Sequence, residues 1–267
     1  MENKKILYIA QEIAPYLPDS DLSTLCRNLP QRIQEKGYEV RTFMPKYGTI
    51  NERRNQLHEV IRLSGMNIII DDTDHQLIIK VATLLPSRMQ VYFIDNDDYF
   101  QHHAVSDIEI RETPDDNDER SMFFVRGVIE TVKKLRWEPS IINISGWVGA
   151  LAPIYLKRIY NEDPSFRNSK IVVSLLKDGF DGGFDPRFVE KLAQDGFADG
   201  ELNAIAEGPV DYKTLMKFAI SHADAVVEAM PDADPELVEF AKNSGLPYMA
   251  YTGQEDAAAY IEFYKSL

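Results

Sequence analysis

Cysteine is all but missing. Cys26 is the only one in 267 residues, so no disulfide can form within the chain and a metal site built on several thiolates is excluded. A lone cysteine suits a reducing compartment, and the expected location is the cytoplasm. Long apolar runs are missing too. The opening Met-Glu-Asn-Lys-Lys leads into Lys5 to Ala10, a stretch too short for the apolar region of a secretion signal and far short of a membrane span. Cations are scarce: 29 Lys and Arg against 43 Asp and Glu give a net charge of −14, which opposes non-specific binding to nucleic acid or to an anionic membrane. Histidine is sparse as well, and the adjacent pair His102-His103 lacks the spaced Asp, Glu or Cys partners of a metal centre, so no metal is predicted. Absent also are a Gly-x-Ser-x-Gly elbow, a Gly-x-x-x-x-Gly-Lys phosphate loop and a Gly-x-Gly-x-x-Gly turn after a strand, and no cofactor is expected.

What is present is an ordinary globular mixture, 44% hydrophobic and 27% charged, enough to bury a sizeable core. Lys5 to Ala10 reads as a buried parallel strand. The recurrence of Leu22, Leu25, Cys26, Leu29 and Ile33 predicts a helix capped by Ser20 or Asp21, ended by Gly37 and interrupted at Pro30. Glu39 to Met44 completes a strand–helix–strand unit of the kind that builds parallel sheets. Between His58 and Phe93 the alternation becomes strand-like, with runs at His58 to Leu63, Met66 to Ile70, Gln76 to Leu84 and Arg88 to Ile94. These predict either an antiparallel meander attached to the sheet or further core strands.

The acids from Asp115 to Glu119 precede an aromatic amphipathic helix carrying Phe123, Phe124, Val128, Val132 and Leu135. Strands at Ser140 to Ile144 and Lys170 to Leu176 flank a helix over Val148 to Tyr160. Residues Lys177 to Gly208, with six glycines and many acids, read as a long connection with some helix at Arg187 to Gln194. Helices over Asp211 to His222, Pro235 to Lys242 and Glu255 to Leu267 then alternate with strands at Ala225 to Glu228 and Tyr248 to Tyr251. The pattern predicts one α/β domain over 1–267, a doubly wound and mainly parallel Rossmann-like sheet with an antiparallel extension.

Fold alone gives no function. The segment Ile6-Leu-Tyr-Ile-Ala-Gln-Glu-Ile-Ala-Pro15, followed by Asn28-Leu-Pro30 and Gly37 to Pro45, resembles the opening of glycogen and starch synthases. Asp116-Asn-Asp-Glu-Arg120, Pro139 to Leu156 with Trp147, and Asp163-Pro-Ser-Phe-Arg167 agree in order with further family segments. The resemblance implies one half of a GT-B glycosyltransferase, and implies that the C-terminal nucleotide-sugar domain is absent.

Against that family the motif positions are degenerate. Its Lys-Thr-Gly-Gly-Leu loop, whose glycines let backbone N–H groups approach phosphate, is here Pro18-Asp19-Ser20-Asp21-Leu22. Asp19 and Asp21 repel a pyrophosphate, and Ser20 and Asp21 also make good helix caps. The His-x-His-Asp-Trp-His signature is Asn143-Ile-Ser145-Gly-Trp147-Val148, and a later His-Asn pair is Leu176-Lys177. Asp178, Asp181 and Asp185 match no defined ion loop and read as a solvated acidic loop.

The resemblance therefore implies a protein of α-1,4-glucan metabolism without catalytic residues of its own, a glucan-binding or regulatory pseudoenzyme. The alternatives are a subunit of a split enzyme, paired with a separately encoded C-terminal half to transfer glucose from ADP- or UDP-glucose, and a protein-interaction scaffold. An α-glucan oligosaccharide is the expected ligand. Loops at the carboxyl ends of the strands gather ligand groups in such folds, which makes Tyr16, Tyr47, Asn143, Trp147 and Phe180 the candidate sugar contacts. Each of these aromatics serves equally as loop packing, and Trp147 as a core residue capping a helix.

Overall fold

The computed structural model describes residues 5–101, 116–198, 200–253 and 255–267. The predicted pair His102-His103 lies outside them. In chain order the elements are β1 (Lys5–Ala10), α1 (Asp21–Glu35), β2 (Glu39–Pro45), β3 (His58–Glu59), β4 (Met66–Ile70), β5 (Thr73–Leu84), β6 (Met89–Asp95), α2 (Asn117–Lys134), β7 (Ile141–Ser145) and the short α3 (Ala152–Ile154). There follow β8 (Lys170–Leu175), α4 (Phe188–Ala193), α5 (Asn203–Ala206), α6 (Tyr212–Ser221), β9 (Ala225–Glu228), α7 (Pro235–Asn243), β10 (Tyr248–Met249) and α8 (Ala257–Ser266). Single π-helical turns at Asp97–Gln101 and Tyr155–Ile159 and a 3₁₀ turn at Trp147–Gly149 lie between them.

The sheet runs β10-β9-β8-β7-β1-β2-β6-β5-β3, with β4 pairing on β5. Every pair from β10 to β6 is parallel, while β5 runs antiparallel to β6, β3 and β4. This is the expected mainly parallel α/β sheet with an antiparallel extension. In detail the extension is smaller than the alternation suggested, because the last strand of the 58–94 segment, β6, pairs parallel with β2 on its other edge. The expected strand His58 to Leu63 shrinks to two residues, since Leu63 N–H turns back to Val60 O at 2.8 Å. The β4–β5 hairpin closes on Asp71 and Asp72, both at positive φ, as a two-residue turn matching the strand twist requires.

Central strands buried on both faces explain the apolar sequences of β1, β7 and β8. α1 buries Leu22, Leu25, Cys26, Leu29 and Ile33, the predicted stripe, and continues through the buried Pro30. α8 packs beside α1. α2 lies close on the sheet at Gly127, where an added Cβ would stand 2.9 Å from Ile94 Cγ2, so only glycine permits that approach. The predicted helix over Val148 to Tyr160 is instead a 3₁₀ turn at Trp147–Gly149, the short α3 and a π turn. Pro153 has no N–H to continue a helix begun before it. Among the described residues no helix is long and apolar enough to cross a membrane.

Candidate functional site at the carboxyl ends of the strands

Three loops, after β1, β7 and β8, converge at the carboxyl edge of the sheet. Gln11 N–H donates to Ser145 O at 2.9 Å, which ties the first to the second. Trp147 N–H donates to Asp178 Oδ2 at 2.9 Å, tying the second to the third. The family-motif positions are thereby brought together: Pro18, Ser20 and Asp21 in the first loop, Ser145 and Val148 in the second, Leu176 and Lys177 in the third.

In the first loop Ser20 caps α1. Its Oγ accepts from Ser23 N–H at 2.9 Å while its own N–H donates to Ser23 Oγ at 2.9 Å, a reciprocal capping box. The Ser20 hydroxyl also donates to Glu12 Oε1 at 3.3 Å. A helix N-terminus attracts anions because its first N–H groups lack partners. Here the hydroxyl occupies one of them, and Glu12 and Asp21 set negative charge beside it.

The second loop turns at Gly146, φ +104°, where an added Cβ would meet Gln11 Cβ at 2.5 Å. Val148 O accepts from Ser121 Oγ of α2 at 2.9 Å. Ser145 Oγ donates to Asn143 Oδ1 at 3.0 Å. In the third loop Leu176 is buried. The exposed Lys177 pairs with Asp232 at 2.8 Å, and the contact with Asp232, reinforced by the charge of Asp21, holds its ammonium above the ordinary lysine range. Asp178 accepts a second bond from Tyr212 OH at 2.6 Å. Burial, helped by Glu12 and Asp178, pushes the Cys26 thiol up, so it stays protonated and is no nucleophile.

All five candidate sugar contacts are buried at this edge, which is the loop-packing alternative for the aromatics. Trp147 is 1% exposed, with its ring centroid 4.8 Å from that of Phe180. Phe180 is itself buried and stacks on Phe184 at 4.9 Å. Tyr47 spends its hydroxyl on Gln11 O at 2.9 Å. Tyr16 packs edge-on to Phe93, and burial pushes its phenol up to about 12. Asn143 is fully engaged: Nδ2 donates to Tyr264 OH at 3.1 Å while Oδ1 accepts from Ser145 and Ser174. Apolar area favours such packing over exposure, and the polar groups of Tyr47 and Asn143 are satisfied within it.

The sequence reading missed a charge cluster centred on a buried lysine. Lys191 of α4, 3% exposed, donates to Asp118 Oδ2 at 3.0 Å, Glu119 Oε1 at 2.7 Å and Asp185 Oδ2 at 3.1 Å. Asp185 therefore belongs to this cluster and Asp178 to the loop clasp, rather than to one solvated acidic loop. Burial raises the Asp118 carboxyl to about 6 despite Lys191, and the three carboxylates hold Lys191 above the ordinary lysine range. Glu119 Oε2 also accepts from Tyr99 OH, which meets His75 Nε2, while His75 Nδ1 meets Asp98. The acids before α2 signalled a cation, but no spacing pointed to Lys191. Among the described residues, no group of three or more His, Cys, Asp or Glu side chains is arranged to hold a metal ion.

The family model for the starch synthase catalytic domain matches residues 5–249. The glycogen synthase of Chlorobium chlorochromatii is 34% identical over 230 residues, covering 86% of this chain and 46% of that protein. That of Chlorobaculum parvum is 32% identical over 241 residues, covering 88% and 48%. The chain thus spans about half the length of the curated relatives it matches. In structure it is similar to the catalytic domain of starch synthase IV from Arabidopsis thaliana bound to ADP and acarbose. The TM-score is 0.72 at 16% identity, over 94% of this chain and 51% of the other.

Proposed function

Because the chain belongs to the glycogen and starch synthase family, we propose that it serves α-1,4-glucan metabolism as a glucan-binding or regulatory protein with no glucosyl transfer of its own. The observation that carries this reading is the first loop. Where the family places a lysine and two glycines, Pro18 brings no charge, Ser20 closes the helix N-terminus with a capping box, and Asp21 adds a carboxylate. A diphosphate seated there would have to displace the cap and sit beside Asp21 and Glu12. The other two loops agree: Val148 and Leu176 are apolar and buried where the family has histidines, and neither donates a hydrogen bond from its side chain.

Carbohydrate remains the ligand class that the family favours, and the acarbose bound to the Arabidopsis fold relative supports it. We place the contact on the same carboxyl edge, with Tyr16, Tyr47, Asn143, Trp147 and Phe180 as the packed floor that shapes the face. Binding to an open face that excludes little water is weak. An NMR titration with maltoheptaose tests the reading: shifts at millimolar sugar confined to Trp147 and the loops around Ser20 and Asp178 are expected. A spectrum unchanged at those positions would remove the glucan from the proposal and favour a protein-interaction scaffold.

A further inference from the structure

Arg120 stands in the first turns of α2 with 4% of its surface exposed. Its Nη1 donates to Asn117 Oδ1 at 3.0 Å and its guanidinium lies 5.7 Å from the centre of the Phe100 ring. Among the described residues it forms no ion pair, and its Nε is buried without a hydrogen-bond partner. Other deeply buried cations of the fold are treated differently. Lys191 holds three carboxylates, and Lys46 pairs with Glu52 at 2.9 Å. A buried guanidinium cannot shed its proton, so it needs a counter-charge or an acceptor.

A second orphan lies beside it. Trp147 Nε1, also buried, meets no acceptor among the described residues. Arg120 and Trp147 line one cavity, of about 10 Å³, closed by Tyr47, Phe100, Asn117 and Val148. This is room for one ligand the size of a water molecule or a halide. Its walls are mostly aromatic, and the Tyr47 hydroxyl is already committed to Gln11 O. The α2 N-terminus adds its partial positive charge. Of the acids in that first turn, Asp118 and Glu119 are held by Lys191.

Two donors unmet and a cation without an ion pair among the described residues, in a site this small, ask for a ligand that only accepts. We propose that the cavity binds a single small inorganic anion of halide size, held by Arg120 Nε and Trp147 Nε1, which braces the loop after β7 against α2. A water molecule fits less well, because it would satisfy the donors and leave the charge.

Bromide reports on the site directly, because a heavy halide touching the Trp147 indole quenches its fluorescence. In the full chain carrying Trp137→Phe, only Trp147 emits. Titration with bromide at constant ionic strength, with gluconate, an anion too large for the cavity, as the balancing salt, is expected to give saturable quenching that chloride competes away. It should be accompanied by a Tm that rises with bromide or chloride. Arg120→Gln should abolish saturation. Should that variant fail to fold, Trp147→Phe in the otherwise native chain keeps the packing, and its chloride-dependent Tm rise should need about fivefold more salt, the worth of one neutral hydrogen bond. Linear quenching with no halide-specific change in Tm would overturn the proposal and leave the cavity to water. Stabilisation by inorganic phosphate but not by chloride would equally overturn the assignment of size.

Discussion

Lys191 is where a single substitution should cost most. Its ammonium pairs with Asp118, Glu119 and Asp185, and Asp118 is wholly buried. Lys191→Met is expected to lose about 3–5 kcal/mol, the usual cost of stripping one partner from a buried pair, measured as a lower urea midpoint at pH 7. The pH dependence follows from Asp118. Its carboxyl titrates at about 6 in the folded chain against 3.8 in its ordinary state, so the folded state holds a proton that the unfolded state has released. The stability from this group is present below about pH 4, falls as pH rises to about 6, and is flat above. Asp118→Asn keeps an acceptor for Lys191 and should remove that slope, seen by comparing urea midpoints at pH 4.5 and 7. The acids at 115–119 were legible in the sequence, whereas their cation stands 73 residues away from Asp118, a distance no local pattern spans.

Helix ends and turns carry the next predictions. Ser20→Ala removes the Oγ that accepts from Ser23 N–H at the start of α1 and should cost about 1 kcal/mol, read in a denaturant titration with an unchanged m-value. Gly146→Ala should cost more, because the φ of +104° and the 2.5 Å approach to Gln11 Cβ both exclude a side chain. A Tm several degrees lower, together with altered Trp147 fluorescence, is expected. Local signals of this kind made α1, α2, α6, α7 and α8 readable, since an apolar stripe or a cap survives in the sequence. The stretch from Trp147 to Tyr160 was not readable as three different turns. Its apolar residues fit a helical stripe, and what breaks it is Pro153 and the tight packing of Gly149, whose added Cβ would stand 3.1 Å from Ile9 and Ile144. Alternation likewise revealed the strands of the extension but not the parallel partner of β6, because side-chain period says nothing about which strand lies on the other edge.

Taken together, the molecule keeps the fold of the glycogen and starch synthase family, and in the function proposed above its altered loops no longer receive a donor phosphate. The order of strands places the three loops side by side, so Pro18 to Asp21, Val148 and Leu176 fall at one edge of the sheet. The candidate site was legible as a set of positions, because each motif follows a readable strand. The depth of its aromatics was not, because a tyrosine or tryptophan in a loop looks the same whether it caps the core or meets a sugar. Incorporation of radiolabelled glucose into glycogen by the purified chain, from ADP-glucose or UDP-glucose, tests the central claim most directly. Counts equal to those without protein are expected, and incorporation above that background would show that the chain transfers glucose by itself.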